Sequence, residues 1–220
     1  MTTKRSAWFA VSSLVVVFTA ALSAAPEPTL GKKGALLLEE TFSGGAVPAG
    51  WTKNAGAIAV ADGALRANEV AKDNHAGAFR KALPLTDAAV QVDLKLDGAA
   101  SFNLGFDPAP GALKKQGHLF SLIVTPTSWQ ITEHVNKADP ASKNIVHAKA
   151  AANFPRDRWV TILLEMKGDT VVVHADGQKP LKATAKDFAV KKPGLVFRVG
   201  GKDEKPLWID NVKVWALSDS

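Results

Sequence analysis

Between Trp159 and Gly177 the sequence runs WVTILLEMKGDTVVVHADG, two apolar, β-branched runs that meet at Gly168-Asp169 and stop at a second turn, Asp176-Gly177. Short β-rich runs joined by a two-residue turn containing glycine specify a hairpin, with a second one starting at the later turn. The same pattern recurs along the chain. From Ala89 to Asp97, Val90, Val92, Leu94 and Leu96 alternate with Gln91, Asp93, Lys95 and Asp97. That is the period of a strand with one face in a core and the other in water. After an Asp97-Gly98 turn, Ser101 to Asp107 repeats it, with Phe102, Leu104 and Phe106 inward and Asn103 and Asp107 outward. Ile58-Ala59-Val60 and Ala64-Leu65-Arg66 flank Asp62-Gly63, a tight hairpin.

Further strands are expected over Ala35 to Phe42, Ala78 to Leu85, Leu119 to Val124, Trp129 to His134, Gly194 to Gly200 and Leu207 to Leu217. Trp159 is expected in the core at the head of the central hairpin. Lys137 to Ala152 reads as a long loop with one short strand at Asn144 to Ala148. No segment sustains a helical stripe. Short strands at roughly 8- to 12-residue spacing predict an all-β fold, a two-sheet antiparallel β-sandwich.

Ahead of the first strand, Lys4 and Arg5 precede an apolar run from Ala7 to Leu22, and Ser23, Ala24 and Ala25 lead into Pro26-Glu27-Pro28. This is the pattern of a secretory signal peptide over 1–25, followed by a linker over 26–34 and one domain over 35–217. A membrane anchor is the competing reading, but the run is short for a span of about 20 residues and small residues close it. A secreted or periplasmic protein with no integral span after processing is expected. The chain has no cysteine, which excludes disulfides, thiolate zinc sites and lipidated cysteine, so packing alone must hold the fold. The net charge of +6 is dispersed over isolated pairs such as Lys32-Lys33, Lys114-Lys115 and Lys191-Lys192. A nucleic-acid partner is therefore not expected.

Three stretches carry a family likeness: Glu40-Thr41-Phe42 with the Gly-rich loop to Trp51, the Trp159 to Gly177 hairpin, and the closing Ile209-Asp210-Asn211-Val212-Lys213-Val214. With them the chain resembles the concanavalin A-like lectin/glucanase jelly roll. It is similar in particular to LamG-like domains and to the bacterial 3-keto-disaccharide hydrolase family, formerly a domain of unknown function. The resemblance implies two stacked, curved sheets, with sugars often bound on the concave face. In some members a structural calcium ion sits near the first and last strands, where Glu40 and Asp210 would be the carboxylate ligands. Asp210 shares parity with Trp208, Val212 and Val214, so a regular strand would aim it at the core. There it must be paired, coordinated or turned away by a bulge.

Catalytic members of the glucanase group carry a Glu-x-Asp-x-Glu motif on one strand, and this sequence has none. The nearest echo is Gln91-x-Asp93-x-Lys95-x-Asp97. Carboxylates four residues apart on a strand stand about 13 Å apart, against roughly 5 to 9.5 Å in glycosidase pairs. A cross-strand pair of Asp93 with Asp107 or Glu133 stays open. The five histidines show no metal-ligand spacing, and neither a nucleophile elbow nor a phosphate loop occurs.

Sugar recognition calls for an aromatic stacking platform beside amides and carboxylates. Trp129, just after a turn, next to Gln130 and across from Ser121, is the candidate platform. A polar face of Gln91, Asp93, Asn103, Gln130, Thr132 and His134 is the candidate surface. The expected function is a secreted carbohydrate-binding, lectin-like module with a carbohydrate or polysaccharide partner. The competing readings are a hydrolase or lyase on modified 3-keto disaccharides and a structural envelope protein that binds no sugar.

Overall fold

The structure, a computed structural model, describes residues 25–201 and 204–219; apart from Ala25 the expected signal peptide lies outside them. Eight strands form one antiparallel sheet: β1 (Lys32–Glu40), β3 (Ala57–Ala61), β4 (Ala64–Asn68), β6 (Ala88–Lys95), β11 (Val160–Lys167), β12 (Thr170–Ala175), β13 (Leu181–Thr184) and β15 (Leu207–Ser218). Their spatial order is β13-β12-β11-β6-β15-β4-β3, and β1 lines up beside β15 past the end of β4. Seven strands form the other: β2 (Trp51–Ala55), β5 (Gly77–Leu85), β7 (Ser101–Phe106), β8 (Phe120–Thr125), β9 (Ser128–Glu133), β10 (Ile145–Ala151) and β14 (Lys192–Gly200). These run β10-β9-β8-β7-β14-β5-β2. The expected sandwich is the observed fold.

Period-two alternation explains both inner faces. Val90, Val92 and Leu94 of β6 and Ile162 and Leu164 of β11 face Phe102, Leu104 and Phe106 of β7 and Phe120 and Leu122 of β8 in one buried cluster. Trp51, Phe79, Phe102 and Phe197 add a nest of rings with centroids 5.4 to 6.0 Å apart. Each buried large side chain stabilises by about 1.5–3 kcal/mol, which is how a sandwich without disulfides stands. The hairpin turns behave as their residues require. Asp62 and Gly63 both take positive φ, 50° and 73°, the conformation of a type I′ turn, and Gly168 opens the central hairpin at 55°.

Two departures from expectation matter for the site. The Asp97-Gly98 turn, at φ 39° and 100°, carries the chain from β6 in one sheet to β7 in the other, so these sequence neighbours are not sheet neighbours. Trp159 is 46% exposed: it precedes β11 on the outer face of the eight-stranded sheet, where Lys95 Nζ lies 5.6 Å from its ring and 5.2 Å from that of Trp208.

The segment read as a linker is docked. Thr29 N and Leu30 N donate to the Glu165 carboxylate at 2.9 and 2.6 Å, Thr29 Oγ1 donates at 2.8 Å, and His174 Nε2 lies 2.6 Å away. β15 and β6 stand between β1 and β11, so residues 29–31 cross the outer face as a strap, and β1 begins at Lys32 rather than Ala35. The Glu165 side chain is fully buried as a result.

Candidate functional site

Outward-facing residues of β5, β7, β8, β9 and β14 build a polar floor on the seven-stranded sheet. Register sets it out. Arg198 stands opposite Asn103 on one side and Ala78 on the other, and Asn103 opposite Ile123. In the adjacent row Gly105 stands opposite Ser121, and Ser121 opposite Thr132. Gly105 has a steric role here, since a Cβ at this position would lie 2.8 Å from Ser121 Oγ. The loop between β7 and β8 rises from this floor as a wall. Lys137 N donates to Gln116 O at 3.0 Å, and Ala109 N to Lys191 O at 2.8 Å.

Between floor and wall lies a cleft of about 490 Å³ lined by Arg80, Asp107, Lys115, His118, Lys137 and Arg198 among others. That is within the size of small-molecule sites, roughly 300–1,000 Å³. Asp107 is its one carboxylate among the described residues and is engaged on both oxygens. Arg80 Nη1 pairs with Oδ2, and His118 Nδ1 donates to Oδ1 at 2.6 Å. Burial pushes the Asp107 carboxyl up, but the hydrogen bonds from His118 and Arg80 outweigh it and hold the group below the usual carboxylate range. Lys115 pairs with Glu133 at 3.2 Å, and Glu133 also meets His147 Nε2 at 3.0 Å.

Arg198 is different. Its Nη2 donates to Ser121 Oγ at 3.1 Å and lies 3.3 Å from His134 Nε2, which Ser121 Oγ also approaches at 2.8 Å. A guanidinium can only donate, so the network assigns Nε2 of His134 as the acceptor and places its proton on Nδ1. Burial first and the Arg198 charge second lower the His134 pKa to about 4, in keeping with a neutral ring. No carboxylate among the described residues lies within ion-pair distance of Arg198. Its Nε and the neighbouring Asn103 Oδ1 are buried without hydrogen-bond partners.

Of the residues singled out in the sequence, Asn103, Gln130, Thr132 and His134 do share this outer face. Gln130 Nε2 donates to Thr132 Oγ1 at 2.9 Å, and His134 lines an adjoining hollow of about 270 Å³. Gln91 and Asp93 do not share it: they lie on β6, in the opposite sheet. Asp93 there accepts from Thr161 Oγ1 at 2.7 Å and Asn211 Nδ2 at 2.8 Å, so the proposed pairs with Asp107 or Glu133 are ruled out by the sandwich itself.

Trp129 is no platform. On the inward parity of β9 it is fully buried, packed against Phe154 with centroids 5.7 Å apart. Glu40 and Asp210 point to opposite faces. Glu40 pairs in register with the core residue Val212. Asp210 pairs with outward-facing Asp93, because a bulge at Asn211, φ 46°, reverses the parity of β15. Their side chains therefore face apart, and no group of three or more metal-ligating side chains occurs among the described residues. The sequence reading missed Arg80, His118 and Arg198. For Arg198 a signal existed: an arginine between Phe197 and Val199, at outward parity in the otherwise apolar run Gly194 to Gly200.

No protein-family model matches the sequence, and no curated protein matches it. Solved structures do match the fold. The carbohydrate-binding module CBM66 from Bacillus subtilis is 14% identical over 76% of this chain and 96% of its own, at a TM-score of 0.60. SCLam, a non-specific endo-β-1,3(4)-glucanase of family GH16, is 15% identical over 88% and 96%, at 0.63. A galectin-like protein of unknown function from Bacillus subtilis is 14% identical over 86% and 100%, at 0.65. All are concanavalin A-like jelly rolls. The likeness is one of fold, and the fold serves carbohydrate-binding modules and glycoside hydrolases alike.

Proposed function

We propose that the protein is a carbohydrate-binding module that seats its glycan in the cleft of the seven-stranded sheet. The observation that carries this reading is the cleft itself: a concave, polar site floored by Arg80, Asp107, His118 and Arg198. Such a lining supplies the charged and hydrogen-bonding groups that sugar hydroxyls need. The fold shared with a carbohydrate-binding module and with glucanases supports it. Binding is favoured over hydrolysis because, among the described residues, the cleft is lined by one carboxylate, already ion-paired, whereas the usual acid/base mechanism uses two. The leader in the sequence supports a secreted or periplasmic location.

The test is a glycan array on the protein, followed by calorimetric titration and by a hydrolysis assay on 3-keto-glucosides. Binding without turnover is expected. It should weaken at least tenfold in Arg198→Met and stay unchanged in Trp159→Ala on the opposite sheet. Loss in Trp159→Ala alone would move the seat to the other face, and turnover abolished by Asp107→Asn would replace a binding module with an enzyme.

A further inference from the structure

We propose that the ligand of this cleft is an acidic saccharide, one whose sugar units bear carboxylate or sulfate groups; this rests on the reading of the cleft as a glycan seat. The argument is one of charge left over. Four permanent cations line the cleft, Arg80, Lys115, Lys137 and Arg198. Arg80 is matched by Asp107 and Lys115 by Glu133. Lys137 and Arg198 have no carboxylate partner among the described residues.

For Arg198 that lack is costly, since a guanidinium partly withdrawn from water, with its Nε buried, gains from a counter-charge that replaces lost hydration. Its hydrogen-bond acceptors are neutral, the Ser121 hydroxyl and the unprotonated nitrogen of His134, and the nearby Asp107 carboxylate is already engaged by Arg80 and His118. Burial lowers the Arg198 pKa, and the attraction of Asp107, opposed by the repulsion of Arg80, does not restore it. The donor fork of arginine fits planar carboxylates and sulfate-like oxyanions, and a charge-assisted pair of this kind is roughly twice as strong as a neutral hydrogen bond.

The cluster is made by the fold and not by a basic stretch of sequence. Arg80 and Arg198 come from the adjacent strands β5 and β14, Lys115 from the loop before β8 and Lys137 from the loop after β9. A neutral glycan would satisfy the hydrogen-bonding groups of the floor and leave both cations unmatched. An acidic one meets both demands.

The experiment titrates the protein with matched oligosaccharides that differ only in charge: oligogalacturonate against its methyl ester, and a sulfated galactan oligomer against its desulfated form. At low salt the charged member of at least one pair is expected to bind tenfold or more tightly than its neutral twin, and whichever pair shows the preference names the anion. The preference should shrink as NaCl rises from 50 to 500 mM. It should fall to near unity in Arg198→Met, and fall in part in the exposed-loop variant Lys137→Met, with Lys179→Met as a charge-matched control outside the cleft. Thermal melts of each variant report folding.

Equal affinity for charged and neutral twins would overturn the acidic ligand and leave the glycan seat standing. Binding to neither twin of either pair, nor to any neutral glycan, would overturn both. Equal binding of single-stranded DNA, with the same loss in Arg198→Met, would show that the cleft selects polyanions and not saccharides.

Discussion

Lys192 shows how one residue can sit against the grain of its fold. It is 2% exposed, with Nζ donating to the Phe188 carbonyl at 2.5 Å, and burial lowers its pKa to about 8. A lone buried ammonium is disfavoured relative to an apolar group of similar shape. Lys192→Met is therefore expected to raise stability by about 1–3 kcal/mol, seen as a melting temperature a few degrees higher; a lower one would refute this. The sign of the pH effect follows from the lowered pKa. The folded state releases this proton near pH 8 and the unfolded chain only near 10.5, so wild-type stability gains on the variant as pH rises through that window.

His134 carries the same sign at lower pH. Its folded pKa near 4 lies below the ordinary histidine value of 6.5, so the unfolded chain binds the proton first. Stability from this group is complete above pH 6.5 and is lost as pH falls toward 4. Denaturant melts across pH 7 to 4 should show a flatter slope in His134→Gln than in wild type.

Among the elements, the contact between β7 and β8 and the strap ahead of β1 make separate predictions. Gly105→Ala must push the Ser121 hydroxyl off Arg198 and His134, since the new methyl would sit 2.8 Å from Oγ. Glycan affinity should drop severalfold while the melting temperature moves little; unaltered affinity would show that the hydroxyl positions nothing. Glu165→Gln weakens the charge-assisted hydrogen bonds from three donor groups of the strap and the one to His174. It should cost about 2–3 kcal/mol. Deleting the residues up to Leu30 should cost a similar amount, and the two changes together less than their sum, because they remove the same contact.

Strands and turns were legible in the sequence because period-two alternation and residues such as Asp62-Gly63 act locally. The assignment of strands to sheets was not. Gln91 and Asn103 alternate alike and flank one turn, and nothing local says that this turn bridges two sheets. Trp129 and Trp159 exchanged their expected places for a related reason. Parity on β9 puts the residue after its turn inward, whereas Trp159 stands ahead of its strand, outside the alternation that was read. The half of the site that was legible, Asn103 to His134, lies on or just beyond strands consecutive in the chain, β7 to β9, that pair with one another in order. Arg198 and Arg80 join it only through pairing across 118 residues of sequence.

At the scale of the whole molecule, β15 occupies a central position. The last strand of the chain pairs with β6 along one side and with β4 and β1 along the other, and it contributes Ile209, Val212 and Val214 to the core. Until residues 207–218 have been made, the larger sheet is two fragments with open edges, and its first strand has no partner among the described residues. Such long-range pairing closes late and slowly. The sandwich therefore cannot close before residues 207–218 have been made, and a truncation before Leu207 should yield an unfolded, aggregation-prone chain instead of a native sandwich with a frayed end.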